Sequence, residues 1–544
     1  MFGRKRCAIV GAGVSGLPSA RWAKEYGYDP VIFELRDNLG GLWYYTDDKT
    51  EFSCVSRKTI MNTSKEMTAF SDFPPPANAP WYLHNSRMLE YLHAYAEHHD
   101  LLKYCRFSHR VTRIERSPNF DKTGEWIVEF RDGNGEVKSE VFQAVLLCTG
   151  RQSVPKIPND YPGQSGFEGG IVHSKDCKDF SHYKNKNVLC VGLGNSGIEQ
   201  TCEISQVAKK CFLSTRNGTW ILGRIDNDIP IDIMANTRLI AYLGKILGPR
   251  AYGFLIERMM RKSFNHQIYG LKPEHRVINQ SPAVISDELK LRLASGQIAV
   301  KPGLKQFNSN SIEFVDGSVE PIDEVVFSTG YSCSFEYVED GKLIPKDYEK
   351  LDLWKNMFPV SLAEMEKPPT LAVIGLLELT GSLGPASELQ ARAFFEVITG
   401  NIKLPSTDQM ALDVQNAHKS RRLAFYTSKS SFTKIPYMDY IEDMSKFIGC
   451  YADPSKLFWS DPKLAYRLVF GPELPYATRL IGPFKWEKAR DLILTLDERL
   501  VLESSKCKCD GRTSKKSKIV PFLVKVSFFL SIIAILVKVL SQIV

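Results

Sequence analysis

Two side chains of opposite charge, Glu34 and Arg216, stand at matching positions behind two glycine-rich loops. The first loop is Gly11-Ala12-Gly13-Val14-Ser15-Gly16; the second is Gly192-Leu193-Gly194-Asn195-Ser196-Gly197. In a loop of this spacing the first glycine makes a tight turn and the second lets the backbone approach a pyrophosphate. The third lets the following helix pack close to the strand. That helix aims its free N–H groups at the phosphates. Glu34 lies 18 residues beyond Gly16. A carboxylate there accepts hydrogen bonds from ribose hydroxyls and repels a 2′-phosphate, which suits FAD or NAD. Behind the second loop the acid is replaced by Ser214-Thr215-Arg216. A guanidinium with two hydroxyls welcomes a 2′-phosphate. The contrast points to one chain that holds FAD and NADPH together.

The elements that must position these groups are strand, loop, helix and strand, twice over. Cys7-Ala8-Ile9-Val10 and Val188-Leu189-Cys190-Val191 read as short buried strands. Val31-Ile32-Phe33 leads to Glu34, and Cys211-Phe212-Leu213 leads to Arg216. Pro18 is acceptable only in the first turn of its helix. Val145 to Gly150 and Val325 to Gly330 are apolar strands ending in Thr-Gly, and mark where the chain passes between nucleotide domains. The expected fold class is α/β. Two Rossmann-like domains are expected, the NADPH domain inserted in the FAD domain, with a C-terminal membrane-anchor helix. The expected boundaries are 1–155 and 330–445 for the FAD domain, 156–329 for the NADPH domain and 446–505 for a C-terminal subdomain. The stretch 217–295 reads as a helical insertion.

The net charge of +8 is concentrated at one end: the last 44 residues carry eight basic and two acidic side chains. The body is close to neutral, which excludes a nucleic-acid groove and favours a membrane surface. After a basic linker at 506–518, residues 519–544 are apolar apart from Lys525, Lys538 and a few polar side chains. They read as a tail anchor or a helix lying in one leaflet. The twelve cysteines show no paired spacing, so no metal site is expected. His93, His98 and His99 read as a solvated helix face.

These motifs, in this order, resemble the flavin-containing monooxygenases of the animal microsomal type. The resemblance rests on further segments: Gly40-Gly41-Leu42-Trp43, Asn62-Thr63-Ser64-Lys65-Glu66-Met67, and Phe167, Gly169 and His173 of an FxGxxxH signature. Phe327-Ser328-Thr329-Gly330-Tyr331, Glu388-Leu389-Gln390-Ala391-Arg392 and Gly482-Pro483-Phe484-Lys485-Trp486 extend it. The chain departs from the pattern at Cys177, Ser328 and Ala393.

The resemblance implies that NADPH reduces FAD, that reduced flavin takes up O2 as a C4a-hydroperoxide, and that an amine or sulfide attacks its distal oxygen. It implies FAD contacts at Leu42, Trp43, Asn62, Thr63 and Gln390 besides the first loop and Glu34. It implies NADP contacts at Met61, Asn62, Ile198 and Glu199, besides Gly192, Gly194, Asn195, Ser196, Gly197, Thr215 and Arg216. Asn62 is the expected catalytic residue, because an amide both donates and accepts. The tail's likeness to the microsomal anchor implies the endoplasmic-reticulum membrane, with the body in the cytosol. The competing activities are an NADPH oxidase that releases hydrogen peroxide, a Baeyer–Villiger monooxygenase and a non-catalytic redox sensor.

Overall fold

The computed structural model describes residues 4–48, 50–152, 154–277, 283–346, 350–363, 368–424 and 433–501. Two five-stranded parallel sheets organise them. At the centre of the first, β1 (Arg6–Val10) pairs with β2 (Asp29–Phe33) on one side and Ala144–Leu147 on the other. Cys105–Arg106 and Leu371–Val373 form its edges. At the centre of the second, Asn187–Val191 lies between Lys210–Ser214 and Glu324–Phe327. Ile298–Lys301 and Gly170–His173 form the edges there.

The same residue logic builds both sheets. A parallel strand covered on two faces must be apolar throughout, and Cys7, Ala8 and Ile9 in one sheet and Val188 and Leu189 in the other are fully buried. Successive side chains alternate between the faces. Cys7 and Ile9 therefore join Leu17 and Trp22 on the helical side, while Ala8 and Val10 join Phe33, Trp126 and Phe130 on the other. That second face is covered by an antiparallel sheet of Arg110–Arg116, Trp126–Arg131 and Val137–Phe142. The second parallel sheet has its counterpart in Leu304–Phe307, Ser311–Phe314 and Val319–Pro321.

The helix α1 (Gly16–Glu25) follows the first loop, and Pro18 falls in its first turn, where no backbone bond is lost. It packs on the helix Leu383–Ile398, which is buried from Gly384 to Val397. The chain crosses between the sheets twice, and the two crossings pair: Val154–Pro155 runs antiparallel to Tyr331–Ser332. All strands of the second parallel sheet fall between these crossings in sequence. Within the stretch 217–295, the helix Arg238–Ser263 bends at Gly248, next to Pro249.

The membrane reading is corrected here. No helix among the described residues is long and apolar enough to cross a membrane. Even the longest, Arg238–Ser263, is studded with arginine and lysine. The tail 519–544 lies outside the described residues, and only twelve uncharged residues separate its two lysines, short of the roughly 20 a spanning helix needs. The anchor helix, the membrane as a partner and the endoplasmic-reticulum placement drawn from it are therefore set aside.

Candidate functional site

The loop after β1 can close only without side chains. A Cβ at Gly16 would stand 1.8 Å from the Gly11 carbonyl oxygen, so the start of α1 touches the turn that precedes it. The second loop repeats the approach: a Cβ at Gly197 would stand 2.3 Å from the Gly192 oxygen. At the end of β2, Glu34 is 5% exposed, and backbone N–H groups orient both of its oxygens. Ala12 N donates to Oε2 at 2.7 Å and Arg36 N to Oε1 at 2.9 Å. Burial raises the Glu34 pKa, opposed by those two N–H groups and the Arg36 charge. Each oxygen keeps a lone pair for a ribose hydroxyl.

A cavity of about 1380 Å³ opens beside Gly11, Gly13 and Glu34 and extends to the second loop. It exceeds the roughly 300–1,000 Å³ of ordinary small-ligand sites and has room for a dinucleotide. Of the residues expected to bind FAD, Gly11, Gly13, Val14, Ser15, Glu34, Leu42, Trp43, Asn62 and Thr63 line it. The glycine cradle and the oriented carboxylate fit that cofactor. Ala12 and Gly16 stand behind the lining. Gln390 is placed otherwise: it is fully buried, its Oε1 accepts from Gly375 N at 2.8 Å, and it does not line the cavity. Glu388 and Arg392, from the same helix, likewise bind scaffold. Glu388 accepts from Ser71 and Trp22, and Arg392 donates to Thr478 and Pro483.

Met61, Asn62 and Asn195 of the expected NADP set line the same cavity. The rest of the second loop turns elsewhere. Gly194 and Ser196 are exposed and Ile198 is core. Glu199 Oε1 accepts from Ser56 Oγ at 2.7 Å and Thr59 Oγ1 at 2.5 Å, tying the helix Asn195–Ile204 to the segment before Asn62. Thr215 Oγ1 accepts from Gly218 N, and the Arg216 side chain passes beside Gly303. Arg216 is exposed, and among the described residues no carboxylate pairs with it. Its charge is open to an anion, which fits a 2′-phosphate. His173 clasps the chain at the second crossing: its Nε2 donates to Gly330 O at 3.1 Å, while Nδ1 accepts from Lys175 N.

Three site residues have no sequence signature. Arg224 reaches Asn62 from a segment whose neighbours Gly223 and Ile225 line the cavity. Its Nη2 donates to Asn62 Oδ1 at 2.9 Å, its Nε to Met61 O at 3.0 Å, and its Nη1 to Asp287 Oδ2 at 2.8 Å. Asp287 also accepts from Arg224 N. Asp232 lines the cavity, is 7% exposed, and accepts from Ser64 N at 2.6 Å. Burial pushes its carboxyl up to about 6. None of the three belongs to a spaced motif, so no pattern marks them. The neighbouring Lys65 and Glu66 have structural partners: Lys65 Nζ caps the Ala77 and Ala79 carbonyls, and Glu66 meets Tyr476 and Arg499.

The family model "Flavin-binding monooxygenase-like" matches residues 4–544. The chain is 39% identical over 501 residues to flavin-containing monooxygenase 5 of Mus musculus, covering 91% of this chain and 92% of that protein. It is 38% identical over 533 residues to dimethylaniline monooxygenase (N-oxide-forming) 2 of Rattus norvegicus, covering 97% and 98%. Among solved structures it shares its fold with S-allyl-L-cysteine S-oxygenase from Allium sativum, with a TM-score of 0.61 at 20% identity over 85% of this chain and 94% of that one. A cyclohexanone monooxygenase gives 0.59 at 15% identity, over 81% and 97%. Two nucleotide loops on two parallel sheets, a shared cavity and matches of this length agree: the chain belongs to the flavin-binding monooxygenase family and is an FAD-containing, NADPH- and O2-dependent monooxygenase of soft nucleophiles.

Proposed function

We propose that Asn62 is the residue that faces the reacting centre, and that Arg224 sets the direction in which its amide points. The carrying observation is the bond from Arg224 Nη2 to Asn62 Oδ1. A guanidinium only donates, so the amide oxygen must turn toward Arg224 and the amide nitrogen toward the cavity. Both hydrogens on that nitrogen are then available to a bound cofactor or substrate oxygen. The flavin, when bound, supplies electron transfer from NADPH and the activation of O2. The chain's tasks are to bind, orient and exclude water. Glu34 takes the ribose of FAD, and Arg216 with Thr215 takes the 2′-phosphate of NADPH. Asn62 presents its N–H groups where Met61, Thr63 and Asp232 wall the cavity.

The division into a FAD domain (1–155 and 330–445), an inserted NADPH domain (156–329) and a C-terminal subdomain (446–505) is part of the same reading. The paired crossings near residues 155 and 331 support it. The test of the Asn62 role is the variant Asn62→Ser. It is expected to keep its flavin colour and to release hydrogen peroxide in place of oxygenated product. An unchanged ratio of product to NADPH consumed would refute the role.

A further inference from the structure

Two lysines tie the loop 50–56 to the segment 173–178. Lys175 Nζ donates to Thr50 O at 2.7 Å. Lys178 Nζ lies 2.7 Å from Cys54 Sγ and 3.4 Å from Cys54 O, and these are its hydrogen-bond contacts among the described residues. Lys178 is 7% exposed. Among the described residues no carboxylate stands at ion-pair distance from it, although Asp47 feels its charge from farther off. A buried amine is costly unless another group answers it, and the side chain in contact here is a thiol. N–H···O bonds span roughly 2.7–3.2 Å, and sulfur is larger than oxygen. The nitrogen–sulfur separation is therefore tighter than a hydrogen bond requires. The two atoms are close enough for a single oxygen to be inserted between them.

The pair is also placed to meet an oxidant. Cys54 is half-buried, whereas eight of the ten described cysteines are fully buried. Phe52 and Ser53, its chain neighbours, line the cavity in which O2 is handled. Hydrogen peroxide formed by any uncoupled turnover would meet it there.

We propose that Cys54 and Lys178 are a modification site, at which hydrogen peroxide forms a reversible sulfur–oxygen–nitrogen crosslink. The thiolate is the nucleophile, and one peroxide converts the thiol to a sulfenic acid and water. After the lysine loses its extra proton to solvent, a second peroxide completes the bridge. Overall, one thiol, one neutral amine and two hydrogen peroxide molecules give one S–O–N bridge and three waters. An S–H and an N–H bond break, and an S–O and an N–O bond form. Sulfur and nitrogen are oxidised and the peroxide oxygens are reduced. A thiol reductant reverses the change. The bridge staples a loop that lines the cavity to the segment leading into the second parallel sheet, and so slows turnover when peroxide accumulates.

The experiment treats the flavin-loaded enzyme with hydrogen peroxide, digests it without reductant and maps the peptides by mass. The expected product is a Cys54 peptide joined to a Lys178 peptide, heavier by one oxygen and lighter by two hydrogens than their sum. Dithiothreitol is expected to separate them. NADPH oxidation is expected to slow severalfold on bridging and to recover on reduction. Lys178→Arg keeps the charge and the thiol but cannot bridge, and Cys54→Ser removes the sulfur; both are expected to stay insensitive. Cys54 found unmodified or as a sulfinic acid without lysine overturns the proposal. So does a bridge that leaves the rate unchanged.

Discussion

Arg224 and Asn62 stand 162 residues apart in sequence and 2.9 Å apart in space, with the guanidinium donating to the amide oxygen. The same guanidinium is held from behind by Asp287, so three side chains form a relay of fixed direction: carboxylate, guanidinium, amide. Hydrogen bonds to a charged partner are worth roughly 1.5–3 kcal/mol, enough to hold one amide orientation over its flipped alternative.

Replacing Arg224 by methionine frees that amide. Flavin content is expected to stay normal, because Arg224 touches neither the first loop nor Glu34. The ratio of oxygenated product to NADPH consumed is expected to fall about tenfold, from a loss of about 1.5 kcal/mol in the charged hydrogen bond. Parallel assays of product, NADPH and hydrogen peroxide check this; full coupling in the variant would remove Arg224 from the site.

Arg216→Ala is expected to lower kcat/KM for NADPH by roughly ten- to a hundredfold, in line with the loss of one charge-assisted contact. The value for NADH is expected to change little. Steady-state comparison of the two nucleotides decides it, and a preserved preference for NADPH would place the 2′-phosphate elsewhere.

Asp232 gives a pH dependence of known sign. Its carboxyl is raised by burial from the ordinary 3.8 to about 6. Its contribution to stability is therefore fully present below 3.8 and is lost as pH rises through about 6. Above that point the ionised carboxylate accepts the Ser64 N–H more strongly and holds the Asn62 segment. The profile of kcat/KM is expected to inflect near 6, and Asp232→Asn to abolish the inflection. Rates measured across that range test this, and an inflection that survives in the variant would assign it to another group.

Gln390 is expected to behave as scaffold. In Gln390→Leu the Gly375 N–H loses its acceptor inside the core, which costs roughly 1–3 kcal/mol. Thermal unfolding is expected to shift down while KM for NADPH stays constant. A raised KM at unchanged stability would return Gln390 to the cofactor site.

What was legible in the sequence follows the range of each interaction. The two loops, Glu34 and Arg216 depend on glycine spacing and strand ends within a few tens of residues, and these features survive projection onto a line. Asn62 stands out in the sequence only because the residues around it resemble a family. Arg224, Asp232 and Asp287 were invisible: their partners lie more than a hundred residues away or on another element, and no periodicity links them. Gln390 shows the converse limit. A polar residue in a motif suggests a ligand, yet Gln390, Glu388 and Arg392 spend their hydrogen bonds on backbone and neighbouring side chains in the core. Burial, which decides between the two readings, is not written in the motif. The apolar tail suggested a membrane by composition alone, and no described helix supports that.

The paired crossings Val154–Pro155 and Tyr331–Ser332 limit how the two nucleotide halves can move. A single connecting strand would act as a ball joint. Two strands bonded side by side make a ribbon, which bends across its width and resists twisting. With His173 clasped to Gly330 at its edge, the ribbon is a door hinge. A swing that opened the gap between the halves is expected to close it along the same arc and to restore the Arg224–Asn62 bond in the same geometry.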